Sequence, residues 1–256
     1  MIDRVVATRY VTPLREGGSL PGIVEADDFG TYVLKFRGAG QGLKVLVAEV
    51  VVAELARRLG LRVPALAAVE LDAAIAKYEA DEEVQDLLTA SVGLNLGVDF
   101  LPGSFGWDPN SVVDFDEAAR VLWLDAFTAN VDRSWRNPNV LLWHKRLWLI
   151  DHGAALYFHH GWSRGVGDPQ RFAAQPYDAA DHIMAAHTGR LRDVDAELAP
   201  RVDEAMLIDV LEQVPDEWLE PVPGIEDVAG IRRAYVEYLS ARVLGDRPWL
   251  PRLSAA

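Results

Sequence analysis

The sequence predicts an α+β fold of two lobes, with strands first and helices after. Three patterns carry that reading. The first forty residues hold three short runs rich in β-branched and aromatic side chains, separated by turn signals. A conspicuous helical period follows at residues 46–59. Beyond residue 106 helical periodicity dominates, interrupted by one hydrophobic hairpin at residues 140–150. The boundary falls at residues 101–106, giving a small β-rich lobe of residues 1–101 with one key helix and a mainly helical lobe of residues 102–256.

Each element has its local reason. Residues 5–11 read as a strand, TPLREGGSLPG as a turn, residues 22–26 as a second strand, ADDFG as a turn, and TYVLKFR as a third strand. In residues 46–59, Val47, Val50, Val51, Leu55 and Leu59 recur at helical spacing, and Gly60 is placed to end the helix. LRVPALAAVEL reads as a strand, residues 73–88 as an acidic helix or a loop with helical tendency, and TASVGLNLGVDFLPG as an extended stretch. Asp114 with Glu117 resembles a capping box opening a helix through Ala129. NVDRSWRNPN is a polar loop, LLWHKRLWLI a hairpin, and residues 202–214 and 227–244 are two further helices.

Composition narrows the chemistry. The chain has 256 residues, half of them hydrophobic, which is enough to bury a core without covalent staples. It contains no cysteine, which excludes a disulfide framework, a thiolate nucleophile and a cysteine-ligated metal. A net charge of −14 argues against nucleic acid or an anionic membrane as partner. Most of that charge is local: between Arg62 and Arg120 stand twelve acidic residues and one base, Lys77. Lysine is scarce, at four against twenty-one arginines. The amino terminus carries no leader-like pattern, and the longest apolar run, residues 45–53, is broken by Glu49. A cytoplasmic protein is expected.

Familiar phosphate motifs fail. RGAGQGLKV has Leu43 where a Walker loop needs its second glycine, and Val45 where it needs a hydroxyl after Lys44. The same leucine spoils a dinucleotide fingerprint. No G-x-S-x-G elbow is present. The six histidines lack zinc-site spacing, and the adjacent His159 and His160 cannot face one metal from a regular element.

The informative segment runs from residue 124 to residue 156. Asp132 stands in a polar loop after an apolar helix, Asn137 follows five positions later, and the hairpin ends in Asp151-His152-Gly153. A carboxylate closing a buried strand is costly unless it binds something. Loop Asp, Asn at +5 and a strand-end Asp before x-Gly is the arrangement of kinase-type phosphoryl transfer. One Asp orients the attacking hydroxyl, while Asn and the second Asp offer hard oxygens to Mg²⁺. Taken singly, each of these residues also reads as a turn former or a cap.

The amino-terminal strands supply a matching half. Alternation in TYVLKFR puts Tyr32, Leu34 and Phe36 on one face and Val33, Lys35 and Arg37 on the other. Glu49 interrupts the apolar helix fourteen positions after Lys35. A strand lysine fixed by a helix glutamate is the phosphate-holding pair of a kinase, although an edge lysine and a first-turn carboxylate would look the same singly. Gly17, Gly18 and Ser19 form a turn whose amides and hydroxyl can meet phosphate. An ordinary hairpin turn fits that spacing equally, and GAGQG ranks as a second cradle.

With these residues in hand, the chain resembles the HipA-like kinases, particularly a compact bacterial branch. REGGSLPGIVEADDFGTYVLKFRGAGQG, AEVVVAELARRLGLRVP and DAFTANVDRSWRNPNVLLWHKRLWLIDHGAALYFHH carry the resemblance, which covers most of residues 10–160. It implies a protein-kinase-like bilobal fold, ATP and Mg²⁺ as cofactors, and transfer of the γ-phosphate to a hydroxyl acceptor, a protein Ser/Thr first. It further implies Asp132 as catalytic base, Asn137 and Asp151 as metal ligands, and Lys35 with Glu49 as the phosphate-holding pair. Gly17, Gly18 and Ser19 would form the phosphate loop. Asn95, Leu96, Gly97, Val98, Asp99, Phe100 and Leu101 would form the hinge against adenine.

This chain departs from the family pattern at Ser134, where many relatives have histidine, and in placing His152 at the middle of the metal tripeptide. A small-molecule kinase and a nucleotide-binding pseudokinase share the same five polar residues and stay open as alternatives.

Overall fold

The computed structural model describes residues 1–14, 20–40, 42–77 and 79–251. Five strands, β1 (Asp3–Pro13), β2 (Gly22–Ala26), β3 (Thr31–Lys35), β4 (Leu66–Leu71) and β5 (Gly93–Asp99), close into a barrel in the order β1-β2-β3-β5-β4. The first three strands pair antiparallel, and β2 turns into β3 at residues 27–30, where ADDFG predicts a turn. Closure comes from β4, which runs parallel to β1 with Asp3 opposite Ala67. A parallel contact between strands so distant in sequence leaves no local signal.

Alternation on β3 holds in space. Tyr32 and Leu34 are buried inside the barrel, with Phe36 just beyond the strand end. They join Val24, Val69 and Leu71 in a small core of their own. Val33 and Lys35 face outward.

Between β3 and β4 runs helix α1 (Leu43–Arg58), whose residues from Leu46 to Ala56 are all buried. Its β-branched content gives modest intrinsic propensity, so burial on every side is what holds it helical. Glu49 sits inside this helix and not in its first turn. Two short helices, α2 (Ala73–Ala76) and α3 (Glu82–Ala90), stand where residues 73–88 read as an acidic helix or a loop with helical tendency. Asp72 and Asp81 cap them, each accepting backbone N–H bonds at the helix start.

The second half is mainly helical. Strand β6 (Phe105–Gly106) pairs with the hairpin β7 (Val140–Trp143) and β8 (Arg146–Leu149). Helix α4 (Phe115–Thr128) opens where Asp114 accepts from the amides of Asp116 and Glu117. Helices α5 (Pro169–Ala174), α6 (Leu191–Leu198), α7 (Glu204–Leu211) and α8 (Val228–Leu244) follow. The large apolar core joins α1, α4 and the carboxy-terminal helices, with Trp123, Trp218 and Trp249 fully buried in it. Arg242 of α8, also buried, donates to the carbonyls of Ala126 and Phe127 at the end of α4 and to Phe172 and Gln175. Carbonyls that α4 leaves unpaired at its last turn are thereby satisfied. No helix among the described residues is long and apolar enough to cross a membrane.

Candidate functional site

A cleft of about 620 Å³ lies between the barrel and the β7–β8 hairpin. Val33 and Lys35 enter it from β3, Glu49 and Ala53 from α1, and Leu141, Leu149 and Asp151 from the hairpin and its end. Of the stretch assigned to a hinge, Val98, Asp99, Phe100 and Leu101 line the cleft. Asn95 does not, because its side chain is fully buried and bonds to the Arg37 amide and the Ser91 and Gly93 carbonyls. Leu96 is buried in the large core, and Gly97 packs within the barrel against Val69 and Tyr32. Gly17, Gly18 and Ser19 lie outside the described residues.

Polar groups at the cleft floor form one chain of contacts. The Lys35 ammonium donates to Glu49 Oε1 and, at 2.7 Å, to Asp151 Oδ1. Glu49 Oε2 accepts the backbone N–H of His152 at 2.9 Å. One buried carboxylate therefore holds both the strand lysine and the backbone after Asp151. Asp151 itself adopts φ 58°, a left-handed conformation that aims its carboxylate into the cleft at a backbone cost. Gly153 is required by space: a Cβ there would stand 2.5 Å from Val45 Cγ1 and 3.2 Å from Glu49 Oε1.

Charge states follow from these contacts. Burial alone would lower the Lys35 pKa, but the attraction of Glu49 and Asp151 outweighs it and raises the pKa. Burial and the nearby Asp151 charge push Glu49 up, against the pull of Lys35. Asp151 is half-exposed at 50% of its side-chain surface; burial raises its pKa, and the Lys35 attraction more than reverses this.

The catalytic-loop residues are held from beneath. Asp132 Oδ2 accepts from Asn137 Nδ2 at 2.8 Å and from Asn139 Nδ2 at 3.2 Å. The Asp132 amide donates to Asn130 Oδ1. Asp132 and Asn137 are thus brought together through the Asn137 amide nitrogen.

A buried network absent from the sequence reading anchors this loop. Arg133, 1% exposed, donates to Asp125 Oδ2 at 2.6 Å, to the carbonyls of Asn139 and Ile150, and to His152 Nδ1 at 3.2 Å. Asp125, in the last turn of α4, also accepts from Asn130 Nδ2 and from His182 Nε2. Its pKa is depressed: burial opposes ionisation, but Arg133 and His182 overcome that. His152 is pushed down to about 3, by burial first and Arg133 second. Because the guanidinium can only donate, Nδ1 accepts and the proton sits on Nε2. One ion pair therefore ties α4, the Asp132 loop and the segment from Asp151 to Gly153 together. An aspartate inside the apolar run of α4 was the available signal, of the same kind as Glu49.

The donor set fits a small hard cation shared with a polyphosphate. Asp151 lines the cleft, whereas Asn137 is exposed on the Asp132 loop outside the cleft lining, and among the described residues no group of three or more His, Asp or Glu side chains could enclose an ion unaided. Mg²⁺ usually takes one or two protein oxygens and completes its shell with phosphate and water.

The architecture has known counterparts. The chain is similar to the crystal structure of a Helicobacter pylori proinflammatory kinase, CtkA, with a TM-score of 0.52 at 9% identity, covering 94% of this chain and 95% of that one. It is also similar to the Golgi casein kinase, with a TM-score of 0.41 at 12% identity over 95% of this chain and 71% of that one. With Mn/ADP bound, that kinase gives 0.45 at 12% identity over 94% and 72%. A comparison with curated proteins finds no match. The family model described as HipA-like kinase matches residues 8–249, nearly the whole chain, and the protein therefore belongs to the HipA-like kinases.

Proposed function

We propose that the protein is an ATP- and Mg²⁺-dependent phosphotransferase that moves the γ-phosphoryl group to a hydroxyl acceptor, a Ser/Thr of a protein, in the cytoplasm. The observation that carries this is Lys35, held at once by Glu49 and by Asp151 across the cleft. A lysine fixed by a helix glutamate and standing beside a strand-end aspartate is the arrangement that positions a nucleotide triphosphate. In this reading residues 1–101 hold the nucleotide and residues 102–256 carry the chemistry. Val98 to Leu101 meet the base, and Gly17, Gly18 and Ser19 cover the phosphates.

Lys35 contacts phosphate oxygens, with Glu49 fixing its position. Asn137 and Asp151 would hold Mg²⁺, which when bound neutralises charge on the phosphate oxygens. Lys35 and Asp151 are charge partners of each other, so phosphate at Lys35 and Mg²⁺ at Asp151 would each replace a partner of like sign. Asp132 has Oδ2 engaged by two asparagines, which turns Oδ1 toward an acceptor hydroxyl to orient it and take its proton.

The test combines nucleotide binding with transfer. Thermal shift with ATP should require Mg²⁺ for its full size. Asp151→Ala should reduce that Mg²⁺-dependent part, and equal ATP·Mg²⁺ affinity would remove Asp151 from the assigned role. Asp132→Asn should abolish phosphate transfer from radiolabelled ATP while leaving nucleotide affinity nearly unchanged. Undiminished turnover in that variant would exclude Asp132 as the base.

A further inference from the structure

The loop that carries Asp132 also carries two large side chains that the ATP site does not use. Val131 is 70% exposed and Trp135 61% exposed, one immediately before Asp132 and the other three positions after it. Isolated exposed apolar residues are ordinary on a protein surface. These two frame the proposed base, and Trp135 stands on rigid backbone.

That rigidity has several sources. Ser134 and Asn137 exchange two backbone hydrogen bonds, each 3.0 Å, so Trp135 and Arg136 form the tip of a closed turn. Ser134 makes an antiparallel bridge with His182, and the Trp135 amide donates to the Asp181 carbonyl. Tyr177 fastens the same neighbouring segment to the Asn130 carbonyl at 2.7 Å. The Arg136 guanidinium lies 4.2 Å from the Trp135 ring centroid and 3.5 Å from the Asp181 carboxylate. The turn that carries the indole is therefore tied down on its backbone, and ordering that backbone on binding costs little entropy.

Electrostatics gives the platform a sign. Arg133 is buried and paired with Asp125, so it presents no charge outward. The exposed charged groups of this turn and of the segment bonded to it are Arg136, Asp178 and Asp181; Arg136 pairs with Asp181, which leaves Asp178, next to Tyr177, as the net negative charge. The chain as a whole carries −14. Neither Val131 nor Trp135 lines the 620 Å³ cleft. An open apolar surface with an acidic rim suits an extended polypeptide better than a small molecule, whose sites are enclosed.

We infer that Val131 and Trp135, rimmed by Asp178 and Asp181, form the acceptor-docking surface of this kinase. The acceptor is a polypeptide carrying a large apolar side chain and a basic side chain close to its Ser or Thr. This rests on the phosphotransferase reading above and adds the residues that select the acceptor. The apolar side chain packs on the indole, and the basic side chain meets the acidic rim.

The experiment is a degenerate peptide library with a fixed central Ser or Thr, incubated with the full chain, radiolabelled ATP and Mg²⁺. Enrichment of Leu, Phe, Lys and Arg and depletion of Asp and Glu are expected. The deciding readout is the ratio of kcat/KM for a Phe-flanked peptide to that for its Gly-flanked twin. Trp135→Ala should lower this ratio about tenfold, the discrimination a hydrophobic contact supplies, and Trp135→Phe should restore most of it. A general loss of folding or of ATP binding leaves such a ratio unmoved. An unchanged ratio in Trp135→Ala overturns the assignment. ATP turnover with every peptide left unmodified overturns it too, while leaving the phosphotransferase reading intact. No ATP-dependent transfer to peptide, water or the kinase itself overturns both.

Discussion

The ammonium of Lys35 stands 2.7 Å from the carboxylate of Asp151, 116 positions further along the chain. The same ammonium bonds to Glu49, whose other oxygen holds the amide of His152. Three segments distant in sequence thus meet through two buried or half-buried carboxylates and one cation. The cleft is an electrostatic joint as well as a cavity, which makes its members strongly interdependent.

A double-mutant cycle measures that interdependence. Lys35→Met leaves Glu49 buried without its counter-charge, and Glu49→Gln leaves Lys35 with Asp151 alone. Each single change should destabilise the fold. The double change should cost less than the sum by about 1–3 kcal/mol, read from urea unfolding. Strict additivity would show that the pair does not act as a unit.

Arg133→Ala should be the most destabilising single change in the catalytic loop. It removes the guanidinium paired with the buried Asp125 carboxylate, takes the Arg133 donor from the Ile150 carbonyl, and leaves the Asn139 carbonyl with the Ile150 amide. The expected cost is about 3–5 kcal/mol. Arg133→Lys keeps the charge but not the planar fork, so it should recover part of the stability. Equal stability of wild type and Arg133→Ala would contradict the buried network.

Gly153→Ala tests the close approach of the segment from Asp151 to Gly153 to α1. Its new Cβ meets Val45 Cγ1 at 2.5 Å, so the two segments must separate, at about 1–3 kcal/mol. Val45→Ala removes the obstructing methyls, and the double variant should regain part of the loss in a thermal-melt comparison. Identical losses with and without Val45→Ala would place the strain elsewhere.

His159 sets an acid limit on stability. Burial first, then the His160 and Lys44 charges, lowers its pKa well below 6.5, and its Nδ1 bonds to the Tyr235 hydroxyl. Glu220, paired with Lys44, is the acidic group on this side. With the folded pKa below the unfolded one, the unfolded chain takes up the proton first. The contribution of His159 is therefore complete above about pH 6.5 and is lost as pH falls toward the folded pKa, at up to ~1.4 kcal/mol per pH unit. Replacing His159 by Gln should flatten the slope of unfolding free energy between pH 5 and pH 6.5, measured in urea at fixed ionic strength. An unaltered slope would assign that acid sensitivity to other histidines.

The legible and illegible parts of this fold divide by the range of the forces involved. Lys35 was readable because strand alternation is local, and Glu49 because a lone carboxylate in an apolar helix demands a partner. The capped start at Asp114 and the hairpin around His144 and Lys145 were readable for the same local reasons. Asp125 carried the same signal as Glu49 but was hidden by the polar loop that follows it. Arg133 read as one more loop arginine, since nothing local says that its five donors are spent inward. The barrel closure of β1 on β4 and the turns between residues 157 and 201 depend on distant packing and were not legible.

Arg242 has a bearing on the order of events during synthesis. Its guanidinium closes the end of α4 by taking the carbonyl of Phe127, a residue 115 positions earlier. A chain leaving the ribosome presents its amino-terminal part first, so α4 is made long before the side chain that closes its end. Until α8 has emerged, the Ala126 and Phe127 carbonyls lack this donor. The helix that leads into the Asp132 loop is therefore finished by a residue synthesised 115 positions later.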